Sequence, residues 1–303
     1  MEKYGKKLFD GGDGFLLQYQ DTYYIYCTTE TDLPAFAPEY PFFETYKNGQ
    51  DGIEVHVSHD LVHWENGGYC LKKGDVVGEH GFWAPEVSYF RGKFYMVYAV
   101  DEHVAIAVAD SPLGPFVKFT PSYLMEKRAI DGHLLFDDDG RIYLYYADLS
   151  GENRICVAEM ADDLHAVIQE YPDVLIAAEE PWETIDCKVA EGPFVLKHNG
   201  TYYLTYSANH TRCKDYAVGY ATSSSPLGPF QKSANNPILH RFGDIVGTGH
   251  HSFMPTGEKE QYICIYHCHG GSVSGFKPRK LCLATAEFVK DSNGGPDTLV
   301  IHR

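Results

Sequence analysis

Five ionisable residues stand just ahead of five similar segments of this chain: Asp13 in GDGF, Glu86 in WAPEV, Asp131 in AIDGH, Glu191 in AEGPF and His250 in GTGHHSF. A lone acid at the start of a strand is an ordinary turn residue. Acids or an imidazole at one place in each of five repeats serve no packing need. If folding brings them together, their charges repel, and at least one carboxyl is pushed above its usual pKa. Glycosidic-bond cleavage needs that condition: one protonated carboxyl donates to the leaving oxygen, and one ionised carboxylate activates water or attacks the anomeric carbon. Glu191, beside Ala190, Pro193 and Phe194, suits the acid, because apolar neighbours favour the neutral form. Asp13, set among glycines that leave room for water, suits the base. Asp131 is placed to orient Glu191 and tune its pKa.

The elements that must position these residues are strands. Helical periodicity is nearly absent, with Ala161 to Glu170 the only stretch worth considering. An apolar strand, a polar turn and an aromatic strand recur in GFLLQYQDTYYIYCT, PEVSYFRGKFYMVYA, GHLLFDDDGRIYLYYA, GPFVLKHNGTYYLTYSA and, more loosely, HSFMPTGEKEQYICIYHCH. Arg91-Gly92, Asp139-Gly140 and Asn199-Gly200 supply the positive-φ glycine of tight hairpins. A second strand unit follows each copy, and the tag SPLGPF recurs verbatim at 111–116 and 225–230. Five copies of about four strands each predict an all-β fold, a five-bladed β-propeller, with residues 1–303 forming a single catalytic domain. An irregular β-sandwich is the alternative, but sandwiches do not usually repeat a turn tag in register.

Composition narrows the partners. The formal net charge of −17 repels phosphate backbones and anionic membranes, which argues against nucleic acid and leaves a neutral saccharide unaffected. Aromatic residues make up 14% of the chain, and such rings favour strands and line sugar sites. No run of about 18 apolar residues exists to span a membrane. The opening MEKYGKKLFDGGDG has no apolar stretch behind its lysines, so a cytoplasmic location is expected, with the eight cysteines as free thiols. Cys264, His267, Cys268 and His269 are expected to be strand residues, not a metal cluster. Asp137, Asp138 and Asp139 are expected to form a hairpin turn, Glu179 and Glu180 a solvated loop, and Trp182 is a candidate sugar-stacking ring.

The motifs HGFWAPEV, AIDGHLLFDDDGRIYLYY, VAEGPFVLKHNGTYYLTYS, PLGPF and GTGHHS together resemble glycoside hydrolase family 43, over about Lys7 to Phe288. The resemblance implies a five-bladed propeller acting on arabinose- and xylose-containing glycans, with Asp13 as general base, Asp131 as pKa modulator and Glu191 as general acid. It further implies substrate contacts from Trp83 and Arg279, and a central-channel histidine, His250, that often accompanies a bound ion, commonly calcium. No cofactor is required. The family usually has Asp-Pro at the base where this chain has Asp13-Gly14, and Asp10 lies nearby as an alternative; hairpin register favours Asp13.

The expectation is therefore an inverting exo-acting hydrolase that removes terminal α-L-arabinofuranosyl or β-D-xylosyl units. Inversion predicts about 6.5–9.5 Å between the carboxyls of Asp13 and Glu191. The rivals are another propeller glycosidase or a phosphorylase, and a non-catalytic glycan-binding propeller.

Overall fold

The computed structural model describes residues 4–29, 51–271, 278–292 and 294–303. After β1 (Lys7–Asp10), blade 1 is formed by β2 (Gly12–Tyr19), β3 (Thr22–Thr28), β4 (Gly52–Ser58) and β5 (Glu65–Lys72). Blade 2 comprises β6 (Trp83–Phe90), β7 (Lys93–Val100), β8 (His103–Ala109) and β9 (Val117–Lys118). Blade 3 comprises β10 (Ala129–Phe136), β11 (Ile142–Asp148), β12 (Arg154–Met160) and β13 (Val167–Glu170). A short 3-10 turn (Pro181–Glu183) leads to blade 4, which contains β14 (Ala190–His198), β15 (Thr201–Ala208), β16 (Ala217–Ser223) and β17 (Gln231–Lys232). Blade 5 is β18 (Gly249–Pro255), β19 (Gln261–His269) and β20 (Arg279–Val289), whose outer edge is shared by β1 and β21 (Thr298–His302).

Neighbouring strands within each blade are antiparallel. The inner strands pack in a ring: β2 touches β18 and β6, β10 touches β6 and β14, and β14 touches β18. This is the expected five-bladed propeller. The exception to the strand reading is no exception in the structure: residues 161–164 form a turn and Val167–Glu170 pair with β12, because the stretch is too short to fold alone and an edge offers it backbone partners.

Aromatic side chains fill the spaces between blades, as Tyr26, Phe94, Tyr98 and Phe116 do between blades 1 and 2. Each such ring contributes roughly 1.5–3 kcal/mol through burial. The two SPLGPF tags act alike. The Tyr26 hydroxyl donates to the Pro112 carbonyl and the Tyr145 hydroxyl to the Pro226 carbonyl, both at 2.7 Å, so each tag fastens its blade to the preceding one.

Every inner strand carries the same irregularity. Pairing skips after Gly12, Trp83, Ile130, Glu191 and Gly249, and resumes three residues later. At each of these bulges the next residue takes positive φ: Asp13 at 51°, Ala84 at 45°, Asp131 at 59°, Gly192 at 57° and His250 at 44°. A bulge leaves a backbone N–H unpaired, and here the preceding blade takes it up. Ala84 N donates to Thr28 Oγ1, Gly192 N to Asp131 Oδ2, His250 N to Ser207 Oγ and Asp13 N to His267 Nδ1, at 2.8–3.2 Å.

The glycines around Asp13 answer to space. A Cβ at Gly12 would fall inside the Arg279 guanidinium, 2.0 Å from its Cζ. One at Gly14 would lie 2.8 Å from both Ile265 Cδ1 and Leu281 Cδ2, two fully buried side chains. The positive φ belongs to Asp13, so Gly14 is needed for close packing and not for backbone freedom. Gly14→Ala is expected to overpack this contact at a cost of about 1–3 kcal/mol, lowering the melting temperature in a calorimetric scan by about 2–4 °C per kcal/mol.

Candidate active site

The bulges fix which side chains reach the axis. Asp13, Asp131 and His250 are equivalent, each the positive-φ residue of its blade. Glu191 stands one position earlier, because Gly192 takes the positive-φ place in blade 4. Glu86 stands two positions later than Ala84, level with His133, Phe15 and Ser252. The expected ring of five equivalent residues is therefore corrected: three are equivalent, Glu191 enters from a neighbouring position, and Glu86 belongs to the layer below. There Glu86 Oε2 lies 2.8 Å from His133 Nδ1, and His133 Nε2 accepts the Val195 N–H at 3.0 Å, tying blades 2, 3 and 4 together.

Asp13 is buried and surrounded by donors. Arg279 Nη1 donates to Oδ1 and Thr28 Oγ1 to Oδ2, each at 2.7 Å, while His250 Nδ1 lies 3.3 Å from Oδ1. Burial alone would raise this carboxyl, but the Arg279 guanidinium and His250 outweigh it and hold Asp13 well below the usual carboxylate range. Asp10, the alternative, is exposed on β1 and pairs with Lys280.

Glu191 has the opposite environment. Its Oε1 accepts from the Tyr216 hydroxyl at 3.0 Å and its Oε2 from Asn153 Nδ2 at 3.2 Å. Neither donor is charged. Burial and the nearby Asp131 carboxyl push Glu191 up to about 8. Asp131 is itself raised by burial and by Asp13, against the pull of His250, whose Nδ1 is 3.8 Å from Oδ2. His250 is raised in turn: burial alone would lower it, but Asp13, Asp131 and Glu191 overcome that. His267, under Asp13, is lowered to about 4 by burial, so its Nδ1 can accept the Asp13 N–H while Nε2 faces Thr211 Oγ1 at 3.2 Å.

The site thus holds an ionised carboxylate on one side and a proton-bearing carboxyl on the other, a division that suits acid–base hydrolysis. A family model described as glycosyl hydrolases family 43 matches residues 9–293. The chain belongs to that family. Among solved family-like structures, an endo-1,4-β-xylanase from Bacteroides thetaiotaomicron VPI-5482 is 35% identical, with a TM-score of 0.83 over 99% of this chain and 96% of that one. Of the curated relatives, the β-D-galactofuranosidase xynD of Aspergillus niger is 29% identical over 251 residues, 75% of this chain and 69% of its own. The xylosidase/arabinosidase 43A of Humicola insolens is 28% identical over 228 residues, 62% of this chain and 67% of its own. Some relatives are longer, and the match covers 42% of the length of a β-xylosidase from Bacillus subtilis.

Within this family member, Arg279 joins the carboxylates as a partner of Asp13. Trp83, half-buried at the start of β6, occupies the position in blade 2 that Glu191 holds in blade 4. Trp182 lies farther out. A Cβ at Gly219, on the third strand of blade 4, would be 2.7 Å from its ring, and Tyr206 is 5.9 Å away centroid to centroid. Its environment is the packing between blades 3 and 4. Asn153, Tyr216 and the trio Thr28, Ser207 and His267 were not anticipated. The trio sits at one place, opposite the bulge on the second strand, and the polar ends of YIYCT, LTYS and CIYH were the available signal.

A calcium ion beside His250 would have to draw most of its ligands from water or backbone oxygens. Calcium takes 6–8 oxygen ligands, and among the described residues no three His, Cys, Asp or Glu side chains converge as a metal site. His250 Nδ1 faces Asp13 and Asp131, where their charges favour a proton on the ring.

Proposed function

We propose that this chain is an inverting exo-glycoside hydrolase that releases terminal β-D-xylosyl or α-L-arabinofuranosyl units, with residues 1–303 as one catalytic domain. The opposed displacement of Asp13 and Glu191 carries the reading: one is held ionised by Arg279, the other held protonated by burial and Asp131. Asp13 accepts a proton from water as that water attacks the anomeric carbon, and Glu191 gives its proton to the departing glycosidic oxygen. The two carboxyls then exchange their proton states through solvent. Asp131, fixed by the Gly192 N–H, keeps Glu191 protonated and neutral near pH 7. His250 positions Asp13 and Asp131 and transfers no proton.

The choice of sugar rests on the named xylosidase/arabinosidase relative. The galactofuranosidase and endo-xylanase names keep a second reading open, in which a hexofuranoside or an internal xylan bond is cut. A panel of nitrophenyl glycosides separates these outcomes. With the preferred β-xyloside, proton NMR at early time is expected to show α-xylose first; β-xylose first would exclude inversion. The substrate is a neutral oligosaccharide, consistent with the acidic chain. All eight cysteines are free, which supports a reducing cytoplasmic location. Among the described residues, no helix is long and apolar enough to cross a membrane.

A further inference from the structure

Glu191 ends a directed chain of hydrogen bonds that starts on the backbone of blade 5. The His250 N–H donates to Ser207 Oγ at 2.8 Å. An amide N–H can only donate, so the Ser207 oxygen accepts there and its single proton is left for another acceptor. That acceptor is the Tyr216 hydroxyl oxygen, which the Ser207 side chain hydrogen-bonds. Tyr216 in turn donates its own proton to Glu191 Oε1 at 3.0 Å. Every link points the same way because the first cannot be reversed. Blade 1 holds the same device in a shorter form: the Ala84 N–H donates to Thr28 Oγ1 at 2.9 Å, and Thr28 Oγ1 donates to Asp13 Oδ2 at 2.7 Å. Thr28 and Ser207 stand at one place on the second strands of their blades, opposite Gly12 and Glu191.

The tyrosine cannot turn its hydroxyl elsewhere. Its side chain is fully buried, and its ring stacks on His267 with centroids 5.6 Å and planes 15° apart. A Cβ at Gly249 would fall 2.2 Å from the Tyr216 Cε1, so that glycine makes room for the ring. In a neutral carboxyl one oxygen bears the proton, and the other, the carbonyl oxygen, is the better acceptor. Oε1 takes the phenolic O–H. Oε2 takes the longer contact, from Asn153 Nδ2 at 3.2 Å, which a hydroxyl oxygen can also accept. The other titratable groups facing Glu191 are Asp131 on β10, Asp13 on β2, His250 on β18 and Cys187 ahead of β14. Among the described residues, none of these four hydrogen-bonds it.

We propose that Ser207 and Tyr216 are positioning residues that direct the catalytic proton to Oε2 of Glu191. The inference rests on Glu191 being the acid. As the Oε2–H bond breaks, its proton goes to the glycosidic oxygen, which keeps the electron pair of the breaking C–O bond. The charge left on Glu191 is met at Oε1 by the Tyr216 proton, so this bond is stronger in the transition state than before it.

Infrared spectroscopy reads the proton itself. Below pH 8 the wild type is expected to show the C=O band of a buried protonated carboxyl that Glu191→Gln removes. Tyr216→Phe keeps the ring and deletes only the donor, and is expected to move that band to higher wavenumber. Asn153→Ala strips a donor from the hydroxyl oxygen and is expected to leave the band in place. A band moved by Asn153→Ala and not by Tyr216→Phe would put the proton on Oε1 and overturn the relay alone. The absence of any band lost in Glu191→Gln would overturn the acid reading beneath it. On a nitrophenyl glycoside, Tyr216→Phe is expected to lower kcat about tenfold with KM unchanged and to move the alkaline limb up by about one pH unit, because the lost bond favoured the ionised carboxyl. Ser207→Ala should act in the same direction, and Ser207→Thr should preserve both properties, since blade 1 carries threonine at this place. A fall in kcat with the alkaline limb unmoved would mean a merely structural part for both residues and would also overturn the relay.

Discussion

Glu191→Gln is expected to lower kcat on a nitrophenyl glycoside by about 10²–10⁴-fold, the usual worth of a general acid. The loss should depend on the leaving group. A dinitrophenolate departs without help from a proton, so activity on its glycoside should fall far less; a uniform loss across leaving groups would count against the acid role. The pH profile follows from the same carboxyl. Only protonated Glu191 can donate, and burial beside Asp131 raises it to about 8, so wild-type activity should decline as pH rises through that value. The glutamine variant should lose this alkaline limb. Stability also falls with rising pH. A raised native pKa means the folded state holds a proton that the unfolded chain releases, so stability falls as pH climbs from about 4.5 to 8. Glutamine cannot ionise and escapes that loss, so Glu191→Gln should melt a few degrees above the wild type at pH 8 and level with it at pH 4.

Asp13→Asn is expected to be comparably severe for activity, about 10²–10⁴-fold, but indifferent to the leaving group, because the water and not the departing oxygen loses its proton acceptor. It should also destabilise the protein. Arg279 is almost wholly buried and donates to Asp13, and removing one partner of such a pair costs about 3–5 kcal/mol. The sign of its pH dependence is opposite to that of Glu191. The native pKa of Asp13 is depressed, so its contribution is present above the unfolded value of about 3.9 and is lost as pH falls toward the native one. The gap in melting temperature between wild type and variant should therefore be constant above about pH 5 and narrow below about pH 4. A gap that widened in acid would mean that Asp13 is not held ionised by Arg279.

Much of this architecture was legible in the residues. The hairpins, the five repeats and the SPLGPF tags mark the blades because strand alternation and turn chemistry are local properties. The acids were legible as a set for the same reason. Their register was not. Whether Glu191 stands level with Asp131 depends on where pairing skips, and a bulge is settled by backbone geometry and by N–H groups bonded across blades. Glu86 looked equivalent to Asp131 by its distance from the hairpin, yet Ala84 takes the bulge in blade 2 and leaves Glu86 to His133. Asn153 and Tyr216 were out of reach because they act from the residues just ahead of the third strands of blades 3 and 4, whose contacts with Glu191 exist only after the blades assemble. Trp182 is the reverse case, an aromatic near the motif that packs over Gly219 between blades.

The seam of the propeller has a consequence for biosynthesis. Asp13 belongs to blade 1, but Arg279 is 266 residues downstream on β20, and His250 and His267 also come from blade 5. A nascent chain that has folded only its first four blades therefore lacks the guanidinium and both imidazoles that surround Asp13, and leaves the blade-1 edge that carries it open to water. The base acquires its counter-charge and its dry setting only when the last blade docks against the first. Competence for hydrolysis thus appears in one step with completion of the ring, and a partly made propeller carries its acids without being able to use them.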